Sequence, residues 1–399
     1  MTIFLLIIIY LAFISLGLPD SLLGAAWPVM QPELGASLDT AGYLFMAIAG
    51  GTIVSSLVSG RLLKRFGTGK VTFVSVLMTA GALLGFYYST SVIWLFFCAI
   101  PLGLGAGAVD TGLNDYVATH YQAHHMSWLH SFWGVGATLG PIIMATFIKE
   151  HHSWRDGYYA ISGIQFALVI ILFFTLPIWN KIRKEHNLST IKEDHLRKEG
   201  NIQETIKIKP LQIKGVKLAL VSFLLYCGVE AIVGLWGSSY LVNIKDLSAD
   251  IAAHWVSLYY GGITVGRLIT GFVTFRVSNR ILIRIGQIIA LLGTALLILP
   301  FSAVFSLIGF MLVGLGLAPI FPGMLHETPA RFGREHSQTI MGYQMAISYT
   351  GSTFLPPLLG LIATHTTIGI FPSIVVLITA VMLLSTETLN NFLKRKQVS

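Results

Sequence analysis

Twelve long apolar stretches constrain this chain more than any other feature, because each has about 20 residues, the length that a helix needs to cross a bilayer. Lipid offers the backbone no hydrogen-bond partner, so the peptide groups of such stretches must pair within the segment, as in a helix. With 54% hydrophobic and only 11% charged residues among 399, the sequence predicts an all-α membrane protein with twelve transmembrane helices. The predicted helices occupy residues 3–28, 39–60, 70–89, 92–117, 126–148, 157–179, 214–243, 251–275, 281–300, 302–325, 337–364 and 368–391.

The net charge of +8 does not indicate nucleic-acid binding, because the basic residues are distributed as membrane proteins distribute them. Of 26 Lys and Arg residues, 22 fall in alternate loops and at the carboxyl end. Cytoplasmic loops carry such an excess, so both termini are predicted to be cytoplasmic. The basic loops would suit an anionic inner leaflet, which makes the lipid bilayer the expected partner. The opposite loops hold only Lys149, Arg155 and Lys245, and Arg267 lies inside a predicted helix.

A polar segment at 181–213 divides the chain into two parts with six predicted helices each. It holds many charges, few aromatic residues and no sustained apolar run, which is typical of a linker that cannot bury a core. Part of it would suit an amphipathic helix on the membrane surface. We therefore predict an N-terminal bundle at 1–180, a cytoplasmic linker at 181–213 and a C-terminal bundle at 214–399.

The two parts repeat at an offset of 211 residues, which serves helices 1, 2, 4 and 5 against helices 7, 8, 10 and 11. Each half begins on the same side and has an even number of helices, so the repeats are parallel. A pseudo-two-fold axis along the membrane normal should relate the two six-helix bundles, which in such proteins rock about a site at the midplane. The offset pairs Gly17 with Gly228, Gly51 with Gly262, Gly60 with Gly271, Arg65 with Arg276, Gly103 with Gly314, Gly105 with Gly316 and Gly140 with Gly351.

The amino terminus does not have the pattern of a cleavable signal peptide, since it lacks a basic region and a small-residue cleavage site. Together with the basic loops, this favours a bacterial inner membrane. Cys98 and Cys227 both fall in predicted helices and are expected to pack rather than to form a disulfide. The pair His124 and His125 lacks the carboxylate and cysteine neighbours of a zinc site, so we expect neither metal nor cofactor.

The twelve helices, the 6+6 repeat and the basic central segment resemble the major facilitator superfamily. The loop after helix 2 reads Gly60-Arg-Leu-Leu-Lys-Arg-Phe-Gly67 and is similar to that superfamily's G-x-L-a-D-R-x-G signature at a cytoplasmic hinge. Lys64 stands where the family usually has Asp, which puts an Asp-dependent charge relay in doubt. The resemblance implies that Arg61 and Arg65 are structural or gating charges.

Within the superfamily, motifs on helices 4, 5, 7 and 8 resemble the fucose–glucose–galactose permease branch. That branch implies sugar uptake, commonly driven by protons, with coupling carboxylates on helices 1 and 4. Those roles map onto Asp20 and Asp110. The motifs are Gly-Leu-Gly-Ala-Gly-Ala-Val-Asp110-Thr-Gly-Leu-Asn114, Leu129-His130-Ser-Phe-Trp-Gly-Val-Gly136, Tyr226-Cys-Gly-Val-Glu230 with Trp236 and Tyr240, and Gly262-Ile-Thr-Val-Gly266-Arg267.

Four carboxylates lie inside predicted helices, where a charge is expensive and by default marks a pathway, a pair or a proton relay. Asp20 follows Pro19, which loosens the helix locally, so it is a candidate proton site or a brace of the kink. Asp110 is the second candidate proton or substrate carboxylate. Asp115 points elsewhere, near the cytoplasmic end, and is expected to cap the helix or to form a gate salt bridge.

The candidate substrate residues are polar or aromatic side chains in the same helices. Asn114 shares a helix face with Asp110 and can both donate to and accept from a sugar hydroxyl; an interhelical brace is the alternative. Glu230 could bind sugar or pair with Arg267, which we expect to be a structural charge. Aromatic rings stack on pyranose faces but also fill packing seams. The remaining candidates are His130, Trp133, Trp236, Tyr240 and Gln344.

The leading hypothesis is a proton-coupled importer of a monosaccharide, a hexose or deoxyhexose, that works by alternating access as a monomer. A sugar uniporter, or a proton-coupled exporter of drugs or sugars, remains open as the alternative. An enzyme is not expected, because the sequence has no HExxH, no G-x-S-x-G at a strand–helix turn and no P-loop.

Overall fold

The computed structural model describes residues 2–121, 123–196, 210–299 and 302–398, and within these ranges its regular secondary structure is helical, without a strand. The helix bounds follow the apolar stretches closely, extending several of them at their ends. The helices are α1 (Thr2–Asp20), α2 (Leu22–Glu33), α3 (Thr40–Phe66), α4 (Thr68–Tyr87), α5 (Val92–His120), α6 (Ala123–His151), α7 (Trp154–Leu196), α8 (Val216–Lys245), α9 (Ala249–Val273), α10 (Asn279–Ile298), α11 (Ala303–Leu317), α12 (Ile320–Phe332), α13 (Arg334–His365) and α14 (Phe371–Val398).

The fourteen α-helices of the described ranges form twelve membrane-crossing passes, because two passes are broken in the middle. The first consists of α1 and α2, which part at Ser21, directly after Pro19 and Asp20. Proline lacks the N–H that continues a helix and clashes with the preceding turn. The tenth consists of α11 and α12, which part at Ala318 and Pro319 for the same reason.

Eleven helical passes in the described ranges are long and apolar enough to cross a membrane. The remaining pass, α9, is 25 residues long, which suffices to cross, but it carries Arg267 among several glycines and tyrosines. The chain is therefore a multi-pass membrane protein, as the sequence predicted.

The internal repeat is visible in how helices cross. A Cβ atom on Gly103 of α5 would collide with the backbone oxygen of Ile48 on α3, so these helices touch backbone to backbone. In the second half, a Cβ atom on Gly314 of α11 would collide with the backbone oxygen of Tyr259 on α9. Both pairs are related by the offset of 211 residues. The repeat read from the sequence is thus a repeat of packing.

Three seams join the two halves. In the first, Gly24 of α2 lies against the backbone of Gly234 and Leu235 in α8. In the second, α6 packs along α9, where Gly134 leaves room for the Thr264 side chain. The third joins α3 to α13. Gly42 lies against Pro357 there, and the Asp39 N–H donates to Thr364 Oγ1 at 3.1 Å.

The α3–α13 seam closes one end of the molecule. The other end, here called the basic end, carries the start of α1, the end of α14 and the turns around Gly67 and Gly333. Between the halves a cavity reaches toward the basic end, since its wall includes Asp115 near the end of α5, Met126 near the start of α6 and Leu325 in α12. The molecule is closed at the end opposite the basic end.

The predicted linker at 181–213 lies only partly within the described ranges. Helix α7 continues to Leu196, beyond the predicted end of helix 6 at 179, and residues 197–209 lie outside the described residues. The domain boundaries at 180 and 214 therefore stay predictions, although both halves of the chain pack as the repeat requires.

Candidate functional site

The cavity between the halves has a volume of about 820 Å³, within the range of small-molecule sites. Both halves contribute to its wall, which is mostly apolar with a few converging polar groups. Among the described residues that line it there is neither Lys nor Arg. Its polar side chains include Asp20, Thr52, Asp110, Thr111, Asn114, Asp115, His130, Glu230, Ser348, Tyr349 and Ser352.

Asp20 is the last residue of α1, at the break in the first pass, and its carboxylate faces the cavity. Trp133 Nε1 on α6 donates to Asp20 Oδ2 at 2.7 Å. The two helices come close enough for this contact because Gly17 lies against the backbone at Trp133. The bond uses one acceptor site of the carboxylate and leaves others for a proton or a ligand.

Arg267 and Glu230 form an ion pair across α9 and α8, with 3.5 Å between Arg267 Nη2 and Glu230 Oε1. The side chains are 14% and 19% exposed, so both charges are largely withdrawn from solvent. The Arg267 guanidinium also lies over the Trp133 ring, 5.3 Å from its centroid. Glu230 is at the cavity wall, whereas Arg267 lies behind it. The predicted pair is thus present, with Trp133 as its third member.

Asp110 and Asn114 occupy one face of α5, as their spacing of four predicts. Asn114 Nδ2 donates to the backbone oxygen of Asp110 and to Asp110 Oδ1, both at 2.9 Å. Gly107 on the same helix allows α3 to approach closely. The amide oxygen of Asn114 remains an acceptor. The pair can therefore offer a sugar hydroxyl two acceptors, the Asn114 amide oxygen and the Asp110 carboxylate.

His130 and Asp115 lie at the wall nearer the basic end. The His130 ring contacts Phe13 edge to face, with 6.0 Å between ring centroids. Asp115 is exposed, one residue after Asn114 and turned away from the Asp110 contact. The structure therefore gathers Asp20, Asp110, Asn114, His130, Trp133 and Glu230 around one cavity and leaves Asp115 at its edge.

Trp236, Tyr240 and Gln344 do not line the cavity. Trp236 Nε1 donates to the Pro356 oxygen at 2.8 Å, and the Tyr240 hydroxyl donates to the Leu297 oxygen at 2.7 Å. Trp236 lies six residues after Glu230, which at about 100° per residue places it on another face of α8. Gln344 accepts from Thr328 Oγ1 at 3.0 Å inside the second half. Each of the three has a hydrogen-bond partner within the protein, and their role in substrate binding stays a prediction.

Arg61 and Arg65 lie exposed at the basic end of α3, away from the cavity. The Arg65 guanidinium lies over the neighbouring Phe66 ring, 5.2 Å from the centroid. Their positions fit a role at the membrane surface, and the gating assignment stays a prediction.

Two tyrosines at the cavity wall were not among the predicted site residues. Tyr260 on α9 presents its hydroxyl beside Gly234 of α8, and Tyr349 on α13 faces the Asp110 side of the cavity. The offset from the first half pairs Tyr349 with Thr138. The repeat preserves the position of a residue but not its type. The offset could therefore have placed Tyr349 near the contact between the halves, but it could not have indicated that Tyr349 lines the cavity.

The comparisons with known proteins agree with this architecture. A family model described as Major Facilitator Superfamily matches residues 9–214 and 218–396. The chain belongs to this superfamily. Its fold also resembles a solved structure titled "Crystal structure of D-xylose-proton symporter", with a TM-score of 0.71 and 14% identity over 95% of this chain and 96% of that one. At that identity the likeness shows the superfamily fold alone.

Two relatives in the superfamily carry names that point to different substrates. The chain is 24% identical to the glucose/mannose transporter GlcP of Bacillus subtilis (strain 168), over 78% of this chain and 77% of that protein. It is 23% identical to the cis,cis-muconate transport protein of Acinetobacter baylyi (strain ATCC 33305 / BD413 / ADP1), over 90% of this chain and 87% of that protein. The chain is a superfamily transporter of small molecules and not an enzyme.

Proposed function

We propose that this protein is a secondary active transporter that takes up a monosaccharide together with protons. The observation that carries the proposal is the pair of carboxyls, Asp20 and Asp110, at the surface of one cavity between two repeated halves. Each carboxyl accepts from one neighbour, Trp133 or Asn114, and keeps further acceptor sites for a proton. The sequence resemblance to the fucose–glucose–galactose permease branch supports the same assignment.

The charge of the cavity favours a neutral polyhydroxylated substrate over an aromatic or unsaturated acid. Four carboxyls line it, Asp20, Asp110, Asp115 and Glu230, and among its described wall residues no Lys or Arg faces them. Arg267, which lies behind the wall in the described part of the chain, is already paired with Glu230. A dicarboxylate such as muconate would meet like charge there, which disfavours its binding.

The wall chemistry suggests which groups meet the sugar. Asn114 and Glu230 can bind hydroxyl groups, while the rings of Trp133 and Tyr260 offer faces against which a pyranose can stack. The wall is largely apolar elsewhere, so a few polar contacts would set the orientation.

The transport cycle follows from the closed and open ends. The cavity reaches toward the basic end. The positive-inside pattern of the sequence favours the cytoplasm for that end, and so for both termini; we place the protein in a bacterial inner membrane. An outward-open form would bind sugar and proton at the midplane. Neutralising Asp20 or Asp110 lowers the cost of enclosing a carboxylate. The halves 1–180 and 214–399 then rock, and both ligands leave at the basic end.

The test is uptake of a labelled hexose panel by the purified protein in proteoliposomes under an inward proton gradient. Accumulation above equilibrium that a protonophore abolishes would support the symporter and name the sugar. Equilibration indifferent to the gradient would establish a uniporter. Absence of hexose flux would overturn the sugar assignment and favour the exporter alternative, to be tested with efflux assays.

A further inference from the structure

Four side chains form one chain of contacts that runs from the first half to the second. Asp20 on α1 accepts from Trp133 on α6 at 2.7 Å. The Trp133 ring lies under the Arg267 guanidinium of α9, 5.3 Å from its centroid. Arg267 in turn pairs with Glu230 on α8 at 3.5 Å. We call these four residues the bridge. Within it, the contact of Arg267 with Trp133 is the one that joins the two halves.

The contact between Arg267 and Trp133 depends on the shape of the arginine side chain. A planar guanidinium can lie on an indole face while its edge donates to a carboxylate, whereas the compact ammonium of lysine cannot match both contacts at once. The 3.5 Å distance to Glu230 is longer than a close charge-assisted hydrogen bond. The ion pair therefore leaves the Glu230 carboxylate with acceptor capacity toward the cavity.

A second cluster of an arginine, a tryptophan and a carboxylate lies away from the cavity. Arg155 lies over the Trp154 ring at 4.3 Å and pairs with Glu33, while Trp154 Nε1 donates to Glu33 Oε2 at 2.6 Å. All three belong to the first half, at the end opposite the basic end. This second cluster has the chemistry of the bridge without its span between halves, so it supplies a matched control.

We propose that Arg267 is the positioning residue that couples the proton site Asp20 to the substrate site Glu230. The inference rests on the proposed function. While Asp20 is ionised, its carboxylate holds the Trp133 indole beneath Arg267, and the bridge keeps the halves in register at the cavity. When Asp20 takes a proton, that bond loses its charge assistance and weakens, so Trp133 is held less firmly beneath the guanidinium. Arg267 then acts on Glu230 without the firm contact to Trp133.

Several titratable or charged groups surround Asp20, and its response to protons depends on all of them. They lie on four of the helices that pack around the cavity, so the charge state of Asp20 depends on more than one neighbour. The titratable groups are Asp110 on α5, Glu230 on α8 and Tyr260 on α9, and Trp133 on α6 adds a neutral hydrogen-bond donor.

The transport test compares Arg267→Lys with Arg155→Lys in proteoliposomes. We expect Arg267→Lys to lose accumulation above equilibrium under a proton gradient while retaining exchange of labelled for unlabelled sugar, because the charge opposite Glu230 remains. Arg155→Lys should keep both activities. Undiminished accumulation by Arg267→Lys would overturn the proposal. An equal loss of accumulation and exchange would also overturn it, because a purely structural role of Arg267 predicts that both activities fall together.

A second test needs no substrate and so separates this inference from the sugar assignment. Thr119 and Ala330, related by the offset of 211 residues, are both exposed at the basic end, on α5 and α12. Spin labels at these positions, with Cys98 and Cys227 changed to Ser, report the distance between the halves. We expect Asp20→Asn to shift the distance distribution when Arg267 is present and to have no effect in the Arg267→Lys background. An equal shift in both backgrounds would refute the coupling role, whatever the uptake assay shows.

Discussion

Asp110 on α5 is the second carboxyl whose charge the proposed proton coupling requires. The change Asp110→Asn keeps its volume and its acceptor for Asn114 but removes the group that binds and releases the proton. We expect uphill accumulation to be lost and exchange at equilibrium to persist, measured as sugar uptake with and without a proton gradient. Glu150→Gln, exposed at the far end of α6, serves as the control, and accumulation by Asp110→Asn at the control level would contradict the assignment.

The pair of Glu230 and Arg267 should show its interaction in a double-mutant comparison. Removing either partner leaves the other as an uncompensated charge, which for a fully buried pair costs about 3–5 kcal/mol. Because these side chains are 19% and 14% exposed, we expect each single change to Gln to cost about 1–3 kcal/mol. The double variant should regain part of that loss, as measured by the thermal unfolding midpoint in detergent; strictly additive losses would mean that the two charges do not interact.

Among the helices, the crossings of α3 with α5 and of α9 with α11 should be equally sensitive to a single methyl group. In Gly103→Ala and Gly314→Ala the new Cβ meets a backbone oxygen, which cannot move aside without shifting a helix. We expect each to lose about 1–3 kcal/mol of stability and to lower the thermal midpoint. Gly81→Ala has open space around it and should be neutral or gain up to about 1 kcal/mol from helix propensity. Unequal effects in the two halves would argue against equivalent packing.

Much of this helical arrangement could be predicted from the sequence because lipid imposes strong rules. Segment length gives the passes, and the break in the first pass follows from Pro19. Rotation of a helix about its axis is less constrained, since these helices are apolar on all sides. For that reason Glu230 and Trp236 of α8 could not be assigned to the cavity or to a packing seam beforehand. The contact of Trp133 with Arg267 joins the two halves. It could not be predicted, because local sequence patterns do not encode how the two halves are placed relative to each other.

For the molecule as a whole, alternating access requires the end opposite the basic end to open. Asp39 and Thr364 meet there across the α3–α13 seam, with 3.1 Å between the Asp39 nitrogen and Thr364 Oγ1. The pair Asp39→Cys and Thr364→Cys should therefore form a disulfide that fixes the halves in the described state. We expect oxidation to abolish sugar flux and a reducing agent to restore it.

The control for this crosslink lies inside one half. Gly85 of α4 faces the Cys98 sulfur of α5, so Gly85→Cys should form a disulfide with the native Cys98 that leaves the seam between halves untouched. Both helices belong to the first bundle, which moves as a unit if two bundles rock about the cavity. Oxidation of this variant should leave flux intact. If it stopped flux as well, the bundles themselves must deform during transport, and if the crosslink between Cys residues at 39 and 364 left flux intact, the α3–α13 seam would not be the gate.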